Sequence, residues 1–577
     1  MNGHLPWTPW HKVISLRPDL KSGELPLNIF AADLYDVALQ RGARPVYENP
    51  AEFFALTYPT YNLRELARDV VQRLAGQNEK AVRQLELTYG GGKTHALITL
   101  YHLVHDPAHL PDLPAVQEFV QHAGMAPPQA RVAFLPCDKL DVEKGMEVRG
   151  PDGELRWLKQ PWSVLAFQIA GADGLRLLHA EEQDTERESA PAENLLVELL
   201  SIPERQGLAT LVLVDEVLMY AREKIGLAPE WRGRLINFFQ YLTQAVTKVD
   251  HCALVASLLA TDPRKSDKLG KEITQELYAI FRREREEGVQ PVLKEDVAEV
   301  LRRRFFTPES LQQRDAFRSH VVAALKGVAA LDEQTAKEGK KAEERFLASY
   351  PFHPDLTEVF YTKWTNLEGF QRTRGVLRTF ALALRDAERW DACPLVGPNV
   401  FLGAPGEAGV PGTAGISEAA RELTTIAETE EYEGKRQDWS AILLGELEKA
   451  REAQQQYPGL QHREVEQAVF ATFLHSQPIG QKALTRELML LLGPGRPDRI
   501  ELEKALQRWV QVSWFLDEDV MQEADGAAPG AEAALPRAWR LGSRPNLTQM
   551  HHDACQYRVP PELVEVRLIE EIEKLKS

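Results

Sequence analysis

Five consecutive residues, Gly90-Gly91-Gly92-Lys93-Thr94, are the part of this chain best suited to chemistry. Glycine reaches backbone conformations closed to other residues, so successive N–H groups of such a turn can converge on one anion. A helix that starts at the turn adds the positive end of its dipole. In that setting Lys93 reaches the β- and γ-phosphates of a nucleoside triphosphate, the Thr94 hydroxyl ligates Mg²⁺, and His95 follows on the same first turn. The full phosphate-loop pattern asks for one more glycine five positions before Gly92, where Leu87 stands. The surrounding order of strand, glycines, Lys-Thr and amphipathic helix is nevertheless intact.

A second group completes the chemistry. The apolar run Leu211–Val214 ends in Asp215-Glu216. An acid at the end of a buried strand holds Mg²⁺, and the carboxylate after it polarises the attacking water. A further strand, Cys252–Ala260, is expected between the glycine-loop strand and the Asp-Glu strand. Its Ser257, or Thr261 just beyond it, is a candidate sensor of the γ-phosphate. Positive charge on the transferring phosphoryl group would come from an arginine. The candidates are Arg282 and Arg283, the run Arg302, Arg303 and Arg304, and Arg372, Arg374 and Arg378 within FQRTRGVLRTF. Arg374, at the opening of a helix, is the preferred finger.

These residues need a scaffold. Short β-rich runs (Arg83–Leu87, Val132–Leu135, Leu211–Val214, Ala253–Leu259) alternate with helical stretches, which means crossover connections and a mainly parallel sheet. The reading is an α/β P-loop NTPase core of the AAA+ kind at 81–265, after a helical lead-in at 1–80. A helical lid without strands follows at 266–400, then linker and helices at 401–460. Residues 461–577 read as winged-helix-like: three helices, a strand Val512–Leu516, and a Gly/Ala-rich insertion at 525–536 before AWRLGSRPNL. Its candidate recognition helix mixes Glu501 and Glu503 with Lys504 and Arg508, which suits a structural role better than a DNA groove. Arg537, Arg540 and Arg544 keep a nucleic-acid role open. The charge run Lys337–Arg345 reads as a solvated helix face, Leu402–Ile416 as a domain boundary, and His551 and His552 as surface residues.

Composition narrows the classes. The 577 residues carry a formal charge of −17, so any contact with nucleic acid must be local. Cys137, Cys252, Cys393 and Cys555 stand far apart, which excludes a disulfide scaffold and a Cys-rich zinc site. No apolar run reaches the ~20 residues of a membrane span, and the N-terminus lacks a secretory core. A cytoplasmic protein with no membrane partner is expected.

With these motifs in hand, the chain resembles the prokaryotic ATPases grouped as domain of unknown function 499. The resemblance rests on TPWHKV at Thr8, SGELPLNIFAADLYDV at Ser22, ENPAEFFALTYPTYNLREL at Glu48 and ELTYGGGKTHALITLYHL at Glu86. It continues with VLVDEVLMY at Val212, RRRFF at Arg302, SYPFHPDL at Ser349 and GFQRTRGVLRTFA at Gly369. The YPFHP and FQRTRG elements are similar to those of ATPases in bacteriophage-exclusion (BREX) systems. The resemblance implies that the missing loop glycine is a family trait. It also implies a place in anti-phage gene clusters, with a methyltransferase, helicase or nuclease as protein partner. Because members extend further, the chain, which ends in EVRLIEEIEKLKS, reads as a short or trimmed one. The expected activity is Mg²⁺-dependent ATP hydrolysis that moves lid and C-terminal domain against a partner protein or duplex DNA. A DNA-translocating motor, a slow nucleotide-dependent switch and a non-hydrolysing relic remain alternatives, with a homo-oligomer compatible with all of them.

Overall fold

The computed structural model describes residues 5–42, 44–86, 92–258, 268–281, 288–311, 314–370, 372–405, 415–429, 431–432, 434–517, 535–555 and 561–575. The chain forms two compact units. One, here the α/β unit, is Ala31–Arg303; the other, the helical unit, comprises Met1–Phe30 and Arg304–Ser577.

The α/β unit is built on strands β1 (Val82–Leu85), β2 (Ala130–Pro136), β3 (Ala209–Asp215) and β4 (Cys252–Ser257). They are all parallel, in the order β1-β4-β3-β2, so β4 does lie between the glycine-loop strand and the Asp-Glu strand. The helices that matter for the site are α1 (Tyr61–Leu74), α2 (Lys93–His105), α3 (Pro161–Leu178), α4 (Val217–Leu227), α5 (Trp231–Lys248) and α6 (Lys268–Phe281). Side chains of β3 alternate between two cores. Leu211 and Leu213 pack with Leu66 and Val70 of α1 and Leu97 and Leu100 of α2; Val212 and Val214 pack with Phe167 of α3 and Phe238 of α5. A sheet covered on both faces needs apolar residues on both, which is why β3 reads as a continuous apolar run. For the same reason α2 is buried all round from Ala96 to Val104 and is not the amphipathic helix expected from its sequence.

Two β features of this unit also depart from the sequence reading. The stretch 266–400 was expected to hold no strand, yet Val289 forms a parallel bridge with Leu85. The Val289 N–H donates to the Gln84 carbonyl at 2.8 Å, and Val289 accepts from Glu86 N–H at 2.9 Å. This extends the sheet order to Val289-β1-β4-β3-β2. One residue of pairing leaves no period-two pattern to detect. The hairpin Met146–Arg149/Leu155–Leu158, between β2 and α3, is likewise an addition.

In the helical unit the first residues are tied to distant ones: Trp10 N–H donates to the Cys393 carbonyl at 3.1 Å and Trp10 Nε1 to Asp391 at 2.7 Å. The charged run at 337–345 is broken by Gly339 (φ +49) between helices Glu333–Glu338 and Lys340–Ser349, and Lys337, Lys340, Lys341 and Arg345 are exposed. The ends of the Gly/Pro-rich stretch 402–416 are pinned together, Gly403 N–H to the Gly415 carbonyl at 2.8 Å, and both flanks belong to this one unit. Helices Glu464–His475, Thr485–Leu492 and Arg499–Val512 follow. The expected strand at 512–516 is not formed and only a single bridge at Leu516 remains, because the helix runs through Val512 and the buried Glu446 then draws the N–H groups of Trp514 (2.9 Å) and Phe515 (3.2 Å). Leu516 bridges Leu541, and Ala538–Trp539 pairs with Ala483–Leu484, from between the first two of these helices. The insertion reading at 525–536 falls mostly outside the described residues.

Candidate functional site

Gly92 caps α2 in the left-handed region (φ +76), where a Cβ would stand 3.0 Å from Val292 Cγ2. Lys93 and Thr94 therefore sit on the first turn of α2, at the positive end of its dipole. At the carboxyl end of β3, Asp215 is 4% exposed. Thr94 Oγ1 donates to Asp215 Oδ2 at 2.7 Å, across 121 residues of sequence. The other oxygen, Asp215 Oδ1, is buried without a hydrogen-bond partner, as is the hydroxyl of Ser257 at the end of β4. Burial raises the Asp215 carboxyl above its ordinary range; the Thr94 hydroxyl, the Lys93 charge and the nearby Ser257 hydroxyl work against that rise.

Glu216, the next residue, caps α4 at φ +55, ψ +42. A long side chain seldom adopts that conformation, and such strain concentrates at functional sites. Here it turns the chain so that Glu216 is half-buried while Leu218 N–H reaches the Leu258 carbonyl at 3.0 Å. Gly92, a lysine, a hydroxyl and two acids thus meet at the carboxyl end of the parallel sheet, the usual ligand position in such sheets.

Three further elements close in on this point: Cys137 and the segment Gln290–Val292, which sequence reasoning missed, and the neighbours of the candidate His95. Cys137, just past β2, donates its N–H to the Asp215 carbonyl at 2.9 Å, and burial with the nearby Asp138, Asp215 and Glu216 carboxylates pushes its thiol well up. The segment Gln290–Val292 borders Gly92 and is held from the other side: Thr60 Oγ1 donates to the Pro291 carbonyl and Asn62 Nδ2 to Gln290 at 2.9 Å. His95 stacks on Phe53 at 4.4 Å and shares a 3.0 Å hydrogen bond with Thr57. The only sequence signal for this wall was the run ENPAEFFALTYPTYNLREL, matched as a block without a role for its residues.

The remaining candidates disperse. Gly90, Gly91, Thr261, Arg282 and Arg283 lie outside the described residues. Arg302 is 3% exposed and ion-paired with Glu299 at 3.0 Å, and Arg303 approaches the same carboxylate at 3.7 Å. The Arg304 carbonyl accepts from Arg17 at 3.0 Å within the helical unit. Helix Arg372–Ala387 belongs to that unit too: Arg374 is exposed in its first turn, Arg378 binds the Leu25 carbonyl and Glu422, and the Arg372 side chain is outside the described residues. His551 is exposed, and among the described residues no three His, Cys, Asp or Glu side chains cluster as a metal site. A cation at the glycine loop would accordingly use Thr94 and Asp215 together with phosphate oxygens. Hard oxygen donors with an unpartnered carboxylate oxygen fit Mg²⁺. Among the described residues no helix is long and apolar enough to cross a membrane.

Comparison with known proteins agrees with the extent of these motifs. Residues 15–288 match the DUF499 N-terminal domain and residues 293–398 the DUF499 second domain. No curated protein and no solved structure matches. The first match encloses Gly92, Lys93, Thr94, Asp215, Glu216 and Ser257, and the second encloses Arg374. The chain belongs to the DUF499 family.

Proposed function

We propose that this chain is a Mg²⁺-dependent nucleoside triphosphatase of the P-loop class with an AAA+-like core, and that ATP is its nucleotide. The observation behind this reading is the 2.7 Å hydrogen bond that joins Thr94 of the glycine-lysine turn to Asp215 beside Glu216. The sheet order with Val289 outermost and β4 central supports it. In this reading the N–H groups around Gly92 and the Lys93 ammonium hold the phosphates, and Thr94 and Asp215 hold the cation. Bound Mg²⁺ would supply charge neutralisation to the triphosphate. The Glu216 carboxylate orients the attacking water and takes its proton, and Ser257, at the end of the central strand, reports the γ-phosphate. Arg374 is retained as the arginine finger.

The end of the helical unit is read as a winged helix with a structural role. Glu501 of the third helix accepts from Gly459 N–H at 2.6 Å and Arg540 is paired with Asp517, so these charges are engaged within the fold. The setting in this proposal is the one the sequence resemblance implies, anti-phage defence beside a methyltransferase, helicase or nuclease. Steady-state ATP turnover of wild type and Glu216→Gln, with and without duplex DNA, tests the proposal. Turnover that needs Glu216 is expected. A several-fold rise with DNA would point to the motor, and indifference to DNA to a protein-directed switch. Equal turnover in wild type and variant would overturn the assignment.

A further inference from the structure

A cavity of about 420 Å³ opens in the α/β unit beside the outer edge of β2. Its size falls within the roughly 300–1,000 Å³ of small-molecule sites. Three features of its lining point to one kind of ligand.

The first is an open backbone edge. Phe134 N–H donates to Gln168 Oε1 at 3.0 Å, and Gln168 Nε2 donates back to the Phe134 carbonyl at 2.6 Å, so Phe134 faces away from the sheet. Cys137 N–H and the Gln129 carbonyl, at odd positions, bond inward to the β3 side. Alternation along the strand therefore turns the N–H and C=O of Val132 outward as well, into the cavity that Val132 lines. With Gln168 occupying the next outward position, the open edge is confined to Val132 and, at the start of the strand, Ala130, which also lines the cavity. An edge this short suits a small molecule better than a peptide strand.

The second is an aromatic wall. Tyr101 and His105, one turn apart near the end of α2, stack at 4.7 Å, and Phe134 meets Tyr101 at 5.1 Å. The third is positive charge from two arginines, with one carboxylate, Asp152, in the same lining and acting on Arg131. Arg149 bonds only neutral oxygens, the Leu39 carbonyl (3.1 Å) and Gln40 (3.3 Å). Arg131 bonds Gln206 at 3.3 Å, and its Nε is buried without a partner. Among the described residues neither guanidinium is paired with a carboxylate, although arginine readily makes bidentate bonds to phosphate.

We propose that this cavity is a second nucleotide site, for a purine nucleoside monophosphate of the adenine type. The Val132 N–H and C=O pair with the adjacent acceptor and donor of the adenine edge, the Tyr101–His105 wall packs against the ring, and Arg131 and Arg149 receive the phosphate. Along α2 at ~1.5 Å per residue, Tyr101 and His105 lie ~12–18 Å from Lys93, so the two sites share a helix without sharing a residue.

Calorimetric titration of AMP into the full chain carrying Lys93→Ala tests the assignment, with binding read where the glycine loop has lost its phosphate-holding lysine. Binding of one AMP is expected. Affinity should fall roughly tenfold or more when Arg131→Gln or Arg149→Gln is added, as for loss of a hydrogen bond to a charged group. Adenosine and inorganic phosphate should each bind at least about tenfold more weakly than AMP. Thermal unfolding of each variant confirms that it is folded, and Arg131→Gln serves if Arg149→Gln loosens the hairpin. No binding of AMP at about 5 mM, equal binding by the folded arginine variants, or phosphate binding as well as AMP would each overturn the proposal. None of these outcomes depends on whether the glycine loop hydrolyses ATP.

Discussion

Replacing Asp215 by asparagine should make the ligand-free protein more stable while removing its capacity to hold Mg²⁺. Asp215 is 4% exposed, and only one of its oxygens has a partner, the Thr94 hydroxyl at 2.7 Å. The other oxygen and the buried Ser257 hydroxyl are both unpartnered. In Asp215→Asn the amide oxygen keeps the bond from Thr94, and the amide nitrogen gains Ser257 as an acceptor. An unsatisfied buried group costs about 1–3 kcal/mol, and more when charged, so a gain of about 2 kcal/mol is expected. For a unit of this size that is a rise in Tm of about 4–8 °C. The pH dependence has a definite sign. Burial raises the Asp215 carboxyl above its ordinary 3.8, so the folded chain keeps the proton to higher pH than the unfolded chain does. The penalty in wild type is absent below 3.8, grows as pH climbs through the folded pKa, and is complete above it. The advantage of Asp215→Asn should therefore vanish in acid. Calorimetric unfolding with Mg²⁺ and a non-hydrolysable ATP analogue completes the assay. At a hundred times Kd the nucleotide would stabilise wild type by about 2.7 kcal/mol and reverse the order of the two proteins. An Asp215→Asn protein that melts below wild type without ligand, or that gains as much from Mg²⁺ and nucleotide, would refute this reasoning.

Three further outcomes are expected. Gly92→Ala places a Cβ at φ +76 and 3.0 Å from Val292, a strain of about 1–2 kcal/mol; a fluorescent-nucleotide titration should show roughly tenfold weaker binding, and unchanged affinity would show that the turn does not position phosphate. Thr94→Ala should raise the Mg²⁺ concentration for half-maximal turnover about tenfold or more, and an unchanged requirement would remove Thr94 from the cation site. His353 is fully buried with its ring bonded to the Leu490 carbonyl (3.0 Å) and accepting from Asp355 N–H (3.2 Å), and desolvation lowers it from 6.5 to about 4. Because the unfolded chain takes up the proton first, about 3 kcal/mol of stability should be lost between pH 6.5 and about 4; His353→Gln should flatten that slope in chemical denaturation, and an equal slope would refute the assignment.

Sequence alone was enough for what neighbouring residues encode. The Gly-Gly-Gly-Lys-Thr turn at the head of a helix, the apolar strand running into Asp215-Glu216, and the placing of Ser257 on a strand between them all follow from local pattern and chain order. They do so because glycine conformations, strand periodicity and crossover handedness act over a few residues. The same holds for the three helices of the last region, whose apolar periodicity marks Glu464–His475, Thr485–Leu492 and Arg499–Val512 within a residue or two.

Tertiary structure decided everything that joins residues distant in the chain. It brought Thr94 to Asp215, seated Val289 beside β1, and set Gln290–Val292 against Thr60 and Asn62. It also sorted the arginines, pairing Arg302 with Glu299 and Arg378 with Glu422, and set Arg131 and Arg149 at the cavity beside the edge of β2. A lone polar side chain has no periodicity, and its partner is set by which strands and helices the core packs side by side. For that reason the Lys-Thr helix start and the strand ending in Asp215-Glu216 could be read from the order of amino acids, while the walls around them, their charge balance and the cavity beside β2 exist only in the folded chain.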